Sequence, residues 1–159
     1  MKIGITGGIG SGKSFICNML RQRGFPVYNC DEEAKRLMVK SKVIIEGLRT
    51  LIGMDAYEER HVPGGEESEF ILNKTRIAAY LFANKDNAAK VNAIVHPAVK
   101  EDFRLWCEQQ DSKFVFMECA ILFESGFDVL VDKVITVTAP EDVRMERIIQ
   151  RDHTTEEKA

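Results

Sequence analysis

The sequence predicts an α/β fold, a parallel sheet flanked by helices. Two observations predict it. Strand-like runs alternate with helix-like runs at both ends of the 159-residue chain, the pattern of parallel strands joined by crossover helices. A glycine-rich stretch, ITGGIGSGKS from Ile5 to Ser14, separates the first predicted strand from the first predicted helix. That is where α/β folds place a loop that meets a ligand.

The elements follow in order. KIGIT (2–6) is short, partly β-branched and ends in glycine, as a buried strand does. From Ser14 to Arg23, Phe15, Ile16, Met19 and Leu20 share one helical face, and Gly24 closes the helix. FPVYN (25–29) reads as a second strand. Asp31 to Lys40 reads as a second helix, with acids at its front and bases at its back. Residues 53–69, with VPGGEESE, read as a turn or loop. Short helices are expected over 74–82 and about 87–95, and Pro97 is expected to open another that runs to about Gln110. FVFMECAIL (114–122) opens with an apolar run, typical of a strand covered on both faces. KVITVTA (133–139) is a further strand, and Pro140 starts a last helix, PEDVRMERIIQRD.

Net charge is −3, with 45% hydrophobic and 30% charged residues, ordinary for a soluble globular protein. There is no basic excess, which argues against a nucleic-acid partner. No apolar run approaches the roughly 20 residues of a membrane span, and Met1-Lys2 leads straight into a strand with no leader pattern. The expected compartment is the cytoplasm. Four cysteines without C-x-x-C spacing and three histidines argue against zinc; reduced thiols fit a cytosolic protein.

Gly7-x-x-x-x-Gly12-Lys13-Ser14 fits the phosphate-binding P-loop pattern. The glycines let the backbone curl so that N–H groups point inward, and they remove side chains that would block a phosphate. Lys13 supplies positive charge for the β- and γ-phosphates, Ser14 Oγ suits Mg²⁺, and the following helix presents its positive end to the anion. No GTPase-type Asn-Lys-x-Asp follows, so ATP is preferred to GTP. The expected nucleotide-binding set is Gly8, Gly10, Ser11, Gly12, Lys13, Ser14 and Phe15.

At this point the sequence resembles the dephospho-CoA kinase family over essentially its whole length. GITGGIGSGKS resembles that family's P-loop wording. VYNCDEEAKRL (27–37) is similar to its second strand and acceptor-site helix. LFANKDNAAKVNAIVHPAV (81–99) is similar to its Phe-rich segment leading to His-Pro. ILFESG (121–126) resembles its Leu-Leu-Phe-Glu segment, and VRMERIIQRDHTTEE (143–157) its lid helix. Departures are Asn29-Cys30-Asp31 for Asp-x-Asp, Phe15 for Thr, Lys74 near an expected Arg, Ala120 for Pro and Val143 for Gln.

The resemblance implies phosphorylation of the ribose 3′-hydroxyl of dephospho-CoA by Mg·ATP, the last step of coenzyme A synthesis. It implies three parts: a P-loop NTPase-type core (about 1–54 and 111–139), a helical CoA-binding subdomain (about 55–110) and a lid (about 140–159). The chain is expected to lack the family's C-terminal strand and helix.

Asp31 opens a helix, where it would serve as an N-cap. It also follows a strand expected beside the P-loop strand, where α/β sheets bind ligands. With the resemblance, Asp31 is the expected acceptor-side carboxylate, catalytic beside Lys13 and Arg147. Arg144, Arg147 and Arg151 share one helical stripe; the resemblance selects Arg147 and Arg151 for the transferring phosphate. Lys74, Arg76 and His96 fall to the dephospho-CoA side. Glu118 ends an apolar strand, a position that either holds Mg²⁺ through water or caps the next segment. The alternatives are another small-molecule P-loop kinase, of the nucleoside-monophosphate or shikimate kind, and a nucleotide-binding module without turnover.

Overall fold

The computed structural model describes residues 1–61 and 68–152. In chain order the first elements are β1 (Lys2–Thr6), α1 (Lys13–Gln22), β2 (Val27–Asn29), α2 (Cys30–Lys40) and α3 (Lys42–Ile52). Then come β3 (Tyr57–His61), β4 (Ser68–Leu72), α4 (Lys74–Ala83), α5 (Asn87–Glu108), β5 (Val115–Glu118), β6 (Lys133–Thr136) and α6 (Glu141–Asp152). They divide into two compact units. One comprises residues 1–30 and the chain from Trp106 onward; the other runs from Asp31 to Leu105. The boundaries expected from sequence lay at about 55 and 110.

The first unit carries the parallel sheet, in the order β2-β5-β1-β6. Ile5 pairs with Glu118 on one side and Ile135 on the other, and Asn29 pairs with Glu118. The parallel α/β reading holds. One expectation does not: β2 is not beside the P-loop strand, because β5 lies between them. β5 is buried along its whole length, so the apolar run at 114–118 belongs in a central position, and the shorter, partly exposed β2 takes the edge. β5 also ends sooner than the apolar run suggests. Beyond Glu118 the chain enters turns, with the Ser125 N–H donating to the Ile121 carbonyl at 2.9 Å.

The core beside the sheet is built on Ile5, Cys17, Phe116 and Val137, with Ile3, Leu20, Phe25, Val27 and Phe114 packed around it. Burying each such large side chain stabilises by roughly 1.5–3 kcal/mol. The apolar stripe of α1 thus anchors the helix that follows the glycine loop. Tyr28 and Trp106 meet edge to face, centroids 5.4 Å apart.

The second unit differs from the sequence reading in three places. Residues 42–52, for which no element is predicted, form α3. Ser41 Oγ accepts from the Ile44 N–H to cap it, and Ile44, Ile45, Leu48 and Ile52 make its buried face. Residues 53–69, read as loop, include a 3₁₀ turn at Met54–Ala56, then β3 and the start of β4; Tyr57 pairs with Leu72 and Glu59 with Phe70. The helix break expected at His96-Pro97 does not occur. α5 runs through Pro97, which removes one helical hydrogen bond. Val91, Val95, Val99 and Phe103 recur every fourth residue as one buried stripe, and that packing offsets the loss.

Candidate active site

The first unit's site is built at the C-terminal ends of β1 and β5. Thr6 ends β1 and the chain turns through the glycine loop into α1. On the neighbouring strand Glu118 is almost fully buried, at 3% exposure. A buried carboxylate is costly unless paired and hydrogen-bonded, and Glu118 is both. Ser14 Oγ donates to its Oε1 at 2.7 Å, and Lys13 Nζ lies 3.3 Å from the same oxygen. Its Oε2 takes Arg21 Nη2 at 3.3 Å and Asn29 Nδ2 at 3.4 Å. Burial pushes the Glu118 pKa up; the Ser14 hydrogen bond and the charges of Lys13 and Arg21 together outweigh it and hold the carboxyl below its usual range. Glu118 is therefore an anion that holds both Lys13 and Ser14.

Arg21 and Asn29 are not among the site residues expected from sequence. The signal for Arg21 was available: Lys13, Cys17 and Arg21 are four apart on α1 and so share a stripe. The structure turns that stripe toward Glu118. Cys17 lies in it as a fully buried thiol, its pKa pushed up to about 12 by burial, then by the charge of Glu118 and a hydrogen bond to it.

The glycine loop packs against α6. Gly10 has φ 73°, a conformation glycine adopts without the Cβ penalty. A Cβ there would lie 2.6 Å from the Arg144 carbonyl oxygen, so no other residue fits without moving the helix. Arg144 Nε donates to the Ile9 carbonyl and Arg147 Nη1 to the Gly10 carbonyl, each at 3.0 Å. Arg147, expected at the transferring phosphate, thus bonds the loop backbone, and so does Arg144, which the sequence reading did not select. Gly8 and Gly12 approach the same guanidinium groups, each 3.3 Å from where its Cβ would be. Ser11 Oγ is buried with no hydrogen-bond partner among the described residues, an orphan polar atom inside a loop of the kind that wraps phosphate. Phe15, on the first turn of α1, is exposed. The Arg151 side chain lies outside the described residues.

A family model described as dephospho-CoA kinase matches residues 1–159. The chain belongs to the dephospho-CoA kinase family. It is 45% identical over 156 residues to the dephospho-CoA kinase of Bacteroides fragilis, covering 98% of this chain and 71% of that protein. It is 45% identical over 155 residues to the dephospho-CoA kinase of Porphyromonas gingivalis, covering 98% and 72%. Among solved structures, a Thermus thermophilus protein superposes with a TM-score of 0.77 at 30% identity, covering 99% of this chain and 75% of that one. The dephospho-CoA kinase of Campylobacter jejuni shares the fold, with a TM-score of 0.62 at 21% identity.

The remaining residues expected of a dephospho-CoA kinase lie in the second unit. Asp31 is exposed in the first turn of α2, one residue past its start. It joins Glu32 and Glu33 as an acid at the positive end of the helix dipole. Lys74 is exposed at the start of α4. Arg76 pairs with Asp55 at 3.0 Å and donates to the Ile52 carbonyl at 2.9 Å. His96 is half-buried within α5, its pKa lowered by burial and by the charge of Lys100. Among the described residues no helix is long and apolar enough to cross a membrane.

Proposed function

We propose that this chain transfers the γ-phosphoryl group of ATP to the ribose 3′-hydroxyl of dephospho-CoA, giving coenzyme A. The observation that carries the reading is Glu118, a buried anion that holds Lys13 and Ser14 together at the mouth of the glycine loop. Phosphoryl transfer needs positioning and charge compensation more than covalent chemistry from the protein. Lys13 has three donors and only one oxygen of Glu118 within 3.3 Å, so it is suited to bridge to the β- and γ-phosphates. Gly8, Gly10, Ser11, Gly12 and Ser14 line the same loop. Arg147 and Arg151 on the lid helix are the assigned partners of the transferring phosphoryl group.

The donor set also fits Mg²⁺. Ser14 spends its O–H on Glu118, which leaves the hydroxyl lone pairs for a cation. Among the described residues no three His, Cys, Asp or Glu side chains gather as a cage. That suits an ion held mainly by water and substrate phosphates. When bound, Mg²⁺ offsets charge on the β- and γ-oxygens; Ser14 would hold it, with Glu118 fixing Ser14 and the ion's water shell.

Asp31 is assigned to accept or orient the proton of the acceptor hydroxyl. Its exposed position in the first turn of α2, two residues after the end of β2, supports a carboxylate open to a substrate. Lys74, Arg76 and His96 are assigned to dephospho-CoA, and Arg76 would exchange its Asp55 partner for the substrate. The core, helical CoA-binding part and lid remain the assigned division of labour, and the cytoplasm, where ATP is supplied, the assigned compartment.

The experiment is product analysis. Incubation with Mg·ATP and dephospho-CoA is expected to add one phosphate monoester at the ribose 3′ position, seen by phosphorus NMR. Phosphate at another position, or none, would reject the reading.

A further inference from the structure

The contact between α6 and the glycine loop has a consequence for the peptide between Ile9 and Gly10. The Ser11 N–H donates to the Gly8 carbonyl at 3.2 Å, closing a four-residue turn with Ile9 and Gly10 in its middle. The positive φ of Gly10, 73°, is the sign that a type II turn requires at its third residue. Type I and type II turns share their outer geometry. They differ in the middle peptide, which turns over by roughly 180° between them. A type II arrangement is open to Gly10 because glycine accepts positive φ, and a type I arrangement is open to it as well. Something besides the residue type must select one.

Arg144 makes the selecting contact. Its Nε donates to the Ile9 carbonyl at 3.0 Å, and the Arg144 backbone packs against Gly10. No peptide bond among the described residues is cis, and in a planar trans peptide the C=O and N–H point in opposite directions. Holding the Ile9 carbonyl toward the Arg144 guanidinium therefore aims the Gly10 N–H away from that guanidinium. The neighbouring contact does a different job. Arg147 holds the Gly10 carbonyl, but the N–H across that peptide, on Ser11, is already given to Gly8. Arg147 braces the turn, and its guanidinium is the one that can be exchanged for phosphate without reorienting an amide.

We propose that Arg144 is a positioning residue for ATP: from α6 it pins the Ile9 carbonyl so that the Gly10 N–H faces the phosphate side of the loop. The inference rests on the kinase reading only in taking the phosphate to be that of ATP. It assigns Arg144 an action through the loop backbone, without contact with the nucleotide.

The test uses two substitutions that separate donor from charge. In Arg144→Gln, Nε2 stands the same number of bonds from Cα as the arginine Nε, so the donor is kept and the charge removed. Arg144→Met keeps length and loses the donor. ATP dissociation constants are measured by calorimetry on each folded protein, together with KM for dephospho-CoA. Arg144→Met is expected to weaken ATP by about five- to tenfold, the size of one ordinary net hydrogen bond. Arg144→Gln is expected to restore it to within about twofold, and KM for dephospho-CoA to stay unchanged in both. The Gly10 amide resonance of the ligand-free protein gives a second reading: it should shift in Arg144→Met and return in Arg144→Gln. Equal weakening in both variants would assign Arg144 a direct charge on phosphate and overturn the proposal. Unchanged ATP affinity in Arg144→Met, or an equal fall for both substrates, would overturn it too. Because the dissociation constant needs no turnover, a wild-type chain that binds ATP without phosphorylating dephospho-CoA would reject the kinase reading and leave this comparison intact.

Discussion

Ser14 Oγ and Glu118 Oε1 lie 2.7 Å apart, joining the last residue of the P-loop pattern to the end of the central strand β5. The oxygen that accepts from Ser14 is also the one nearest Lys13, so one buried carboxylate sets the position of both. Replacing it with an amide keeps the shape and removes the charge. In Glu118→Gln the Mg²⁺ concentration for half-maximal activity should rise by about 10–100-fold, the usual effect of losing a group that orients a metal ligand. Metal-free ATP binding should hold or tighten, since Lys13 no longer shares its charge. A Mg²⁺ dependence equal to wild type would remove Glu118 from the metal side.

Asp31 lies past the start of α2, where an acid near a helix N-terminus contributes about 0.3–1 kcal/mol, and asparagine keeps the side chain's shape. Asp31→Asn should therefore lower Tm by no more than about 2–4 °C. As the acceptor-side carboxylate it should cost far more in rate, about 10²–10⁴-fold in kcat, roughly 3–5 kcal/mol of barrier, with ATP affinity nearly unchanged. Thermal melting, ATP titration and kcat on the same variant decide; an unchanged kcat would leave Asp31 a helix-start charge.

Gly10 and Gly24 separate strain from collision. Both have positive φ, 73° and 81°, so an alanine at either costs about 1–2 kcal/mol of backbone strain. A Cβ at Gly24 meets nothing within 4 Å, whereas one at Gly10 would lie 2.6 Å from the Arg144 carbonyl oxygen. Gly10→Ala should melt lower than Gly24→Ala, and Gly10→Ala alone should lose ATP affinity. Matching affinities in a titration would mean that α6 yields to the loop at no cost.

The chemistry of the loop was legible because it is local. Gly7 to Ser14 are defined by spacing along a strand-turn-helix, and the fold brings Lys13 and Ser14 to one carboxylate, Glu118. Glu118 was legible only as the acid at a strand end. Its choice between metal and cap depended on which strands flank it, and strand order is not written in spacing. The order β2-β5-β1-β6 is set by which run can be covered on both faces, and it separates Asp31's strand from the P-loop strand. Pro97 misled for a related reason: a local breaker signal is overridden by Val91, Val95, Val99 and Phe103, whose joint burial appears only in the folded unit. The hairpin was hidden by charge, since β3 exposes Glu58, Glu59, Arg60 and His61 and lacks the alternation that marks a half-buried strand.

Tyr57 provides a test of the second unit through pH. Its hydroxyl donates to the Met38 carbonyl at 2.6 Å. Burial pushes its pKa up to about 12, with the Arg49 charge pulling back against it. The unfolded value is about 10, so the fold favours the neutral phenol. That stability is complete below about pH 10 and is lost as pH rises from about 10 to 12. Tyr57→Phe should cost about 1 kcal/mol near neutrality, and its deficit against wild type should shrink through that alkaline window in urea melts. A deficit independent of pH would mean that the phenol does not titrate with unfolding.

The P-loop built around Lys13, Ser14 and Glu118 is proposed to serve phosphoryl transfer to dephospho-CoA. The measurement that tests this most directly is ATP consumption by the chain with Mg²⁺, in the presence and absence of dephospho-CoA, with nucleoside monophosphates and shikimate as alternative acceptors and Lys13→Ala as the control. ADP release is expected to match coenzyme A formed, with dephospho-CoA alone as acceptor, and to be lost in a Lys13→Ala protein that still folds. Equal consumption with another acceptor, ATP binding without turnover, or a Lys13→Ala variant with near-normal kcat would contradict it.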